Sequence, residues 1–215
     1  MGKEISPDII ETWLKAWSLS RELPPPVRYE SGFMVDVGYE KQKKRYVFPK
    51  VNDDFLQLTR TINEPWVFLK VCGSFNEFKA DLSENWILQP QGYMMFCFKP
   101  MIFPDIMLPD EYILRFHQYG STFVVSIVTK DSGEVASEGR VIIANNLAVY
   151  DRISTAAIHR RKRLATFLIK ELEKIALSKN VSNNFLVATE EGRLLYESLG
   201  WELYSPYTSI VISGD

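Results

Sequence analysis

Four consecutive segments in the second half of the chain carry alternating or β-branched apolar residues, the pattern of half-buried strands. Turn residues separate them: Asp131, Ser132 and Gly133 form a hairpin signal, and Asn145-Asn146 tolerates the left-handed backbone of a tight turn. The pattern therefore predicts an antiparallel meander. Its strands are residues 112–116, 123–129, 135–143 and 147–153.

The apolar spacing then changes from two residues to three or four, which predicts an amphipathic helix over residues 161–178. A short buried strand follows at 185–188, then a helix over 190–199 that Gly200 ends, and one or two closing strands over 201–212. The order strand, helix, strand, helix, strand predicts an α/β fold with a mixed sheet.

The first half predicts a mixed α+β unit. A segment from Lys99 to Pro109 holds prolines at 100, 104 and 109, breaks both periodicities and is the best candidate linker. We therefore expect an N-terminal domain over residues 1–103 and a second domain over 104–215. The first contains predicted helices from Pro7 and over 53–61 and 75–82, and predicted strands over 33–37, 46–48, 66–72 and 86–98.

Composition narrows the class of protein. The 215 residues include 25 basic and 27 acidic side chains, and this net charge of −2 argues against a nucleic-acid coat or a membrane-surface protein. Two cysteines, Cys72 and Cys97, lie in apolar strand-like segments, so we expect neither a disulfide framework nor a metal site. No apolar run approaches a membrane span, and we expect a cytoplasmic protein.

A basic turn precedes the clearest helix. Four cations stand at positions 160–163, where a helix start ordinarily prefers acidic residues. A strand that ends in a tight turn before a helix presents unpaired amides and the positive end of the helix dipole, which together bind anions. A solvated basic turn explains the same charges equally well, and the charge pattern alone leaves both interpretations open.

This turn and a later segment resemble the GNAT family of acyl-CoA-dependent N-acyltransferases. That family has an Arg/Gln-x-x-Gly-x-Gly/Ala turn before a helix, and a later helix that ends in Leu-Tyr-x-x-Leu-Gly-Phe/Trp. The resemblance covers roughly residues 112–213, with Arg163 in place of the middle glycine. The matching positions are Arg160, Arg163 and Ala165 in the turn, and Tyr196, Leu199, Gly200 and Trp201 in the second motif.

The resemblance implies a GNAT-like α/β fold preceded by a smaller α+β domain, which would be an accessory or degenerate GNAT-like domain. It also implies that acetyl-CoA lies between the strand before the turn and the strand after the first helix. Amides of the turn would hold the pyrophosphate, and the strand around Tyr150 would pair with the pantetheine arm. The implied acetyl-CoA-binding residues are Tyr150, Arg152, Ile153, Arg160, Arg161, Lys162, Arg163, Leu164, Ala165, Thr189 and Tyr196.

Three residues are candidates for catalysis. Tyr196 matches the family position of a tyrosine that protonates the departing thiolate, and Thr189 stands where many members have asparagine. An ammonium substrate must lose a proton, so a carboxylate is expected nearby, and Asp151 and then Glu138 are the candidates. Each carboxylate is also explained as a strand-surface charge paired with a neighbouring arginine.

The resemblance implies an N-acetyltransferase that moves an acetyl group from acetyl-CoA to a primary amine by direct attack in a ternary complex. The amine acceptor, a small molecule or a peptide, is open, and so is the oligomeric state. An alternative is a non-catalytic acyl-CoA-binding sensor or interaction module of the same fold. This alternative is favoured by Arg163, by Thr189 and by the short connection between Phe116 and Phe123, where the family has two helices. Binding of nucleic acid by the basic turn is the weakest option, since no aromatic platform accompanies it.

Overall fold

The computed structural model describes residues 5–214; residues 1–4 and 215, at the outer ends of the two predicted domains, lie outside the described part. The helices are α1 (Pro7–Leu19), α2 (Asp53–Thr61), α3 (Leu164–Ser178) and α4 (Glu190–Ser198), with 3₁₀ turns at Phe75–Glu77, Lys79–Asp81 and Ala157–His159. The strands are β1 (Val27–Tyr29), β2 (Gly32–Tyr39), β3 (Gln42–Phe48), β4 (Val67–Cys72), β5 (Trp86–Leu88), β6 (Gly92–Cys97), β7 (Tyr112–Tyr119), β8 (Thr122–Thr129), β9 (Val135–Ala144), β10 (Leu147–Thr155), β11 (Asn184–Ala188) and β12 (Glu202–Ile212).

The chain divides into two compact units. Unit 1 comprises Met1–Met95, Val187–Arg193 and Leu203–Asp215, and unit 2 comprises Phe96–Leu186 and Leu194–Glu202. The last strand, β12, therefore belongs to the same unit as α1 from Leu203 onward. The boundary between residues 103 and 104 stays a prediction.

Unit 1 is built around strands β1, β2, β3, β4 and β12, in that order. β3 and β4 are parallel and are joined by α2, while β12 runs antiparallel to β4. Helix α1 packs against β2, and α2 packs against β4. The α2 side of the core contains Phe48, Phe55 and Phe78, whose rings meet edge to face. The last strand of the chain thus completes the sheet that the first hundred residues begin.

Unit 2 contains the predicted meander. β7, β8, β9 and β10 pair antiparallel in sequence order, and α3 returns the chain so that β11 lies parallel to β10. The buried stripe of α3 includes Leu168 and Leu172. Gly139 in β9 permits this packing, because an added Cβ would lie 2.8 Å from the Ile153 side chain and 3.2 Å from each of those two leucines.

The predicted linker is held against other parts of unit 2. The backbone N–H of Met101 donates to the Glu173 carboxylate at 2.8 Å, and that of Ile102 donates to the Leu199 carbonyl at 3.0 Å. The Trp201 indole N–H also approaches the Met101 sulfur at 3.3 Å. These contacts fix the start of the segment as ordered structure.

The structure corrects three predicted elements. The helix predicted over 75–82 is two short 3₁₀ turns, and the strand predicted over 86–98 is two strands that are interrupted around Pro90, which has no amide to donate. Helix α3 begins at Leu164 and not at Arg161.

Cys72 and Cys97 are buried free thiols. Within residues 5–214, no helix has the length and apolar character needed to cross a membrane.

Candidate functional site

The candidate site begins where β10 and β11 stop pairing in unit 2. Their parallel register runs from Ala148 opposite Asn184 to Tyr150 opposite Leu186. β10 continues to Thr155 with β9 as its partner, through a bulge that places Arg152 in the left-handed region at φ 52°. Beyond Tyr150, the backbone of β10 therefore no longer pairs with β11.

The turn before α3 has an unusual backbone. Arg161 has φ 66° and Arg163 has φ 60°, a region that glycine enters freely and that costs other residues about 1–2 kcal/mol. Arg163 thus keeps a backbone conformation that suits the glycine it replaces in the sequence motif. The two left-handed residues also explain why α3 starts three residues later than its apolar spacing predicts.

The start of α3 leaves amides without helical partners. Arg163 is the N-cap and provides no side-chain cap, and the first turn contains no acidic residue. The first intrahelical bond runs from the Phe167 N–H to the Arg163 carbonyl at 3.1 Å. The preceding amides therefore retain the donor capacity that favours anions at helix N-termini.

The four cations of the turn differ in their contacts. Arg160 donates from Nε to the Thr155 carbonyl at 3.4 Å. Lys162 donates to the Tyr112 hydroxyl at 2.9 Å and lies 3.3 Å from Glu111. The side chains of Arg161 and Arg163 are exposed, and neither guanidinium group forms a hydrogen bond or ion pair within residues 5–214. These two guanidinium groups are the ones positioned to meet an external anion.

A polar cluster that the sequence did not indicate orders the turn. The Tyr112 hydroxyl lies 2.9 Å from Nδ1 of the buried His159, whose Nε2 is 3.9 Å from the Glu134 carboxylate. The hydrogen bond to Tyr112 raises the pKa of Lys162, with a further contribution from Glu111. Tyr112 and Lys162 are 50 residues apart, and no motif links them in the sequence.

Tyr196 lies in an aromatic cluster of unit 2. Its side chain is 8% exposed, its ring centroid is 5.5 Å from that of Trp201, and Trp201 is 5.4 Å from Tyr150. Burial raises the pKa of Tyr196, and the charge of Asp151 raises it further. The structure therefore places Tyr196 and Asp151 within electrostatic reach of each other and keeps Tyr196 protonated at neutral pH.

The two candidate bases have different surroundings. Asp151 lies opposite Arg140 in the β9–β10 register, at the end of the regular pairing and beside the bulge. Glu138 accepts a 2.8 Å hydrogen bond from the Ser126 hydroxyl and lies opposite Ser154. Asp151 is thus the carboxylate that the structure associates with Tyr196, whereas Glu138 is held by its neighbouring strand.

The remaining predicted acetyl-CoA-binding residues take several positions. The Tyr150 hydroxyl donates to the Asn184 side chain at 3.1 Å, and burial raises the pKa of Tyr150 well above its usual value. Thr189, in unit 1, caps α4: its hydroxyl accepts from the Gly192 N–H at 3.2 Å. Ile153 and Ala165 are half-buried, and Leu164 is buried at the start of α3.

Comparison with solved structures shows the fold. No family model and no curated protein match the sequence. A GCN5-related N-acetyltransferase from Kribbella flavida is 13% identical with a TM-score of 0.64, over 100% of this chain and 97% of that one. An acetyltransferase of the GNAT family from Novosphingobium aromaticivorans is 13% identical with a TM-score of 0.61, over 98% and 99%. A tandem GNAT protein from the clavulanic acid biosynthesis pathway is 12% identical with a TM-score of 0.54, over 94% of each chain.

These likenesses extend the sequence-based prediction. The chain has the mixed α/β fold of GNAT acetyltransferases, and the likeness spans essentially the whole chain and not residues 104–215 alone. A separate, smaller N-terminal domain is therefore not confirmed. The sequence motifs lie in the second half, where residues 160–165 and 196–201 carry them.

Proposed function

We propose that this chain transfers the acetyl group of acetyl-CoA to a primary amine. The carrying observation is the turn before α3, in which Arg161 and Arg163 adopt left-handed backbone conformations and lead directly into uncapped helix amides. Such a turn surrounds an anion with donors and with the positive end of a helix dipole. The likeness in fold to GNAT acetyltransferases supports the same conclusion.

The residues present fit the phosphate end of acetyl-CoA. The pyrophosphate would accept from the amides around Leu164 and Ala165, and the exposed guanidinium groups of Arg161 and Arg163 add charge-assisted hydrogen bonds. Because its side chain is exposed, Arg163 leaves the turn backbone open to the ligand. The edge of β10 beyond Tyr150 would pair with the pantetheine amides, an interaction that needs no particular side chains.

Two side chains would move protons. Acetyl-CoA supplies an acetyl group activated as a thioester, and the amine attacks its carbonyl. Asp151 would accept the proton that the amine loses, and Tyr196 would donate its hydroxyl proton to the departing thiolate. A phenol with a raised pKa is a weaker acid than usual. Desolvation raises the pKa of a buried thiol as well. The pKa difference between the Tyr196 phenol and the thiol therefore changes little when both groups share the same buried surroundings.

The test is an acetylation assay with acetyl-CoA and a panel of small-molecule and peptide amines, read as release of free thiol. We expect turnover that Tyr196→Phe lowers by about a hundredfold while acetyl-CoA affinity changes little. Tyr39→Phe, a change at an exposed tyrosine of unit 1, is the matched control and should leave turnover unchanged.

A different outcome would favour the alternative function. Thr189 uses its hydroxyl to cap α4, which is a structural role for a position where many GNAT members present asparagine. Acetyl-CoA binding without turnover across the amine panel would indicate a non-catalytic acyl-CoA-binding module. Absence of both binding and turnover would contradict both functions.

A further inference from the structure

Strand β7 forms an open edge of the sheet in unit 2. Within residues 5–214 its one strand partner is β8, and the two strands pair without interruption along the whole of β7. The side chains of residues 115–118 are all exposed, and Phe116 is 60% exposed. An edge strand of this kind presents backbone donors and acceptors that another strand can use.

The backbone hydrogen bonds show which groups of β7 face outward. The Lys130 N–H donates to the Glu111 carbonyl at 2.8 Å, so the pair of residues next to the first pair of β7 and β8 is a hydrogen-bonded pair. Opposite pairs of an antiparallel ladder alternate between hydrogen-bonded and non-hydrogen-bonded. The hydrogen-bonded pairs with β8 therefore continue at Ile113, Arg115, His117 and Tyr119. The backbone groups of the residues between them point away from β8.

Three residues of β7 present these outward groups without a backbone partner. Tyr112, the first outward residue, already donates its N–H to the Pro109 carbonyl at 3.0 Å. The outward amides and carbonyls of Leu114, Phe116 and Gln118 form no backbone hydrogen bond within the described residues. These three residues are spaced evenly about Phe116. A second copy of β7 that runs antiparallel can therefore meet them symmetrically.

A two-fold axis at Phe116 matches the side chains as well as the backbone. It sets Arg115 of one copy opposite His117 of the other, and it pairs each outward amide with an outward carbonyl. No two residues of like formal charge then lie opposite each other at pH 7. An axis at Arg115 would bring two arginines together, which is destabilising. An axis at His117 would place Leu114 opposite the turn residue Gly120, outside the strand.

We propose that two copies of this chain associate through β7, with Phe116 of one copy opposite Phe116 of the other about a two-fold axis. Each outward amide then donates a hydrogen bond to the other copy, and the two Phe116 rings lie side by side on one face of the sheet. Such a contact uses the same surface of both copies, so it closes at a dimer. A strand pair of this length buries less than the roughly 1,200 Å² of a standard interface, so we expect a dissociation constant of about 10 μM. The contact does not depend on acetyl-CoA binding.

Sedimentation equilibrium of the full chain without ligand, between about 1 and 200 μM, tests the proposal. We expect a reversible equilibrium between monomer and dimer. Phe116→Glu brings two carboxylates together at the axis and should weaken association by about tenfold or more. Leu194→Glu, at an apolar residue of unit 2 that is 70% exposed, is the charge-matched control and should associate as the wild type does. Because both side chains are exposed, both variants should melt at the wild-type temperature at the lowest concentration.

Substitutions at two further positions test the backbone pairing and its register. Gln118→Pro removes one outward amide from each copy and no hydrogen bond to β8, so it should weaken association by about tenfold while the monomer stays folded. His117→Glu sets a carboxylate opposite Arg115 of the other copy and should tighten the dimer by about threefold to tenfold. His117→Arg sets two cations opposite each other and should weaken the dimer.

A chain that stays monomeric up to about 200 μM would overturn the proposal. Association that Phe116→Glu leaves unchanged, or that Leu194→Glu weakens equally, would place the contact on another surface. Equal weakening by His117→Glu and His117→Arg would refute the register. Assemblies that grow beyond two copies would show that the contact does not close about a two-fold axis.

Discussion

The ammonium group of Lys162 donates a 2.9 Å hydrogen bond to the hydroxyl of Tyr112, a residue of β7 that lies fifty positions earlier in the chain. The same hydroxyl contacts Nδ1 of the buried His159 at 2.9 Å. Through these two bonds the first strand of the meander holds both ends of the segment that leads into α3. The backbone shape of the candidate acetyl-CoA turn therefore depends on a strand outside the sequence motif.

Tyr112→Phe tests this dependence. The substitution leaves the buried His159 nitrogen without its partner, and we expect a loss of about 1–2 kcal/mol in the free energy of unfolding. Urea denaturation at pH 7 measures the change. Tyr39→Phe is the control, because Tyr39 is exposed and forms no hydrogen bond through its hydroxyl within the described residues. Equal stability of the two variants would contradict the role given to Tyr112.

Arg163 provides a test of the left-handed turn. Arg163→Gly relieves the strain of φ 60° but makes the unfolded chain more flexible, so its stability should stay within about 1 kcal/mol of wild type. Arg163→Val places a β-branched residue in the same conformation and should cost about 1–2 kcal/mol. Chemical denaturation of both proteins compares them. A valine variant as stable as the glycine variant would show that the residue does not keep this backbone conformation in solution.

The sequence predicts most strands and helices of the second half and several of the first half, and physical reasons explain the exceptions. Strands such as 135–143 and the helix at 53–61 were found because their apolar spacing is local and uninterrupted. The start of α3 was misplaced because the left-handed conformations of Arg161 and Arg163 have no signature in residue type. Pairing of β12 with β4 joins segments more than 130 residues apart, and no local pattern encodes it.

The candidate site was predictable only in part. The cations at 160–163 and Tyr196 belong to motifs that are readable along the chain. The ties from Tyr112 and Glu111 to Lys162 arise from tertiary packing, as does the electrostatic link between Asp151 and Tyr196. Spacing along a chain reports neither kind of contact.

Glu173 should make stability depend on pH. The side chain is 6% exposed, and burial raises its pKa, although the hydrogen bond from the Met101 N–H partly opposes that rise. A raised pKa means that the native state holds this proton more strongly than the unfolded state does. The stabilisation is therefore complete below the unfolded value of about 4.5 and is lost as the pH rises through the native pKa.

Glu173→Gln removes the ionisation and keeps an oxygen that accepts from Met101. We expect this variant to gain stability relative to wild type as the pH rises from about 4.5, with a constant difference above the native pKa. Urea denaturation between pH 4.5 and 8 follows the difference. Glu84→Gln, at an exposed carboxylate, should follow the wild-type curve. A Glu173→Gln profile parallel to wild type over the whole range would refute the role of burial.

The residues at the N-terminus of α2 lead to a prediction of how many acetyl-CoA molecules one chain binds. α2 joins the parallel strands β3 and β4 in unit 1 as α3 joins β10 and β11 in unit 2. Its first turn, however, carries Asp53 and Asp54, and Asn52 caps it through a 3.0 Å bond from the Phe55 N–H. Those carboxylates repel an anion and the cap occupies a donor, so one acetyl-CoA should bind per chain. A stoichiometry near two by equilibrium dialysis would contradict this prediction.

Calorimetric titration with acetyl-CoA, repeated for Arg161→Glu, Arg163→Glu and Lys130→Glu, shows whether acetyl-CoA binds at the turn before α3. Lys130 is an exposed cation of unit 2 outside the turn. Reversing its charge changes the net charge of the chain by the same amount as reversing either arginine. We expect micromolar binding that either arginine reversal weakens by at least tenfold and that Lys130→Glu leaves nearly unchanged. Absence of binding to the wild-type chain, or equal affinity in all four proteins, would contradict an acetyl-CoA site at the turn before α3.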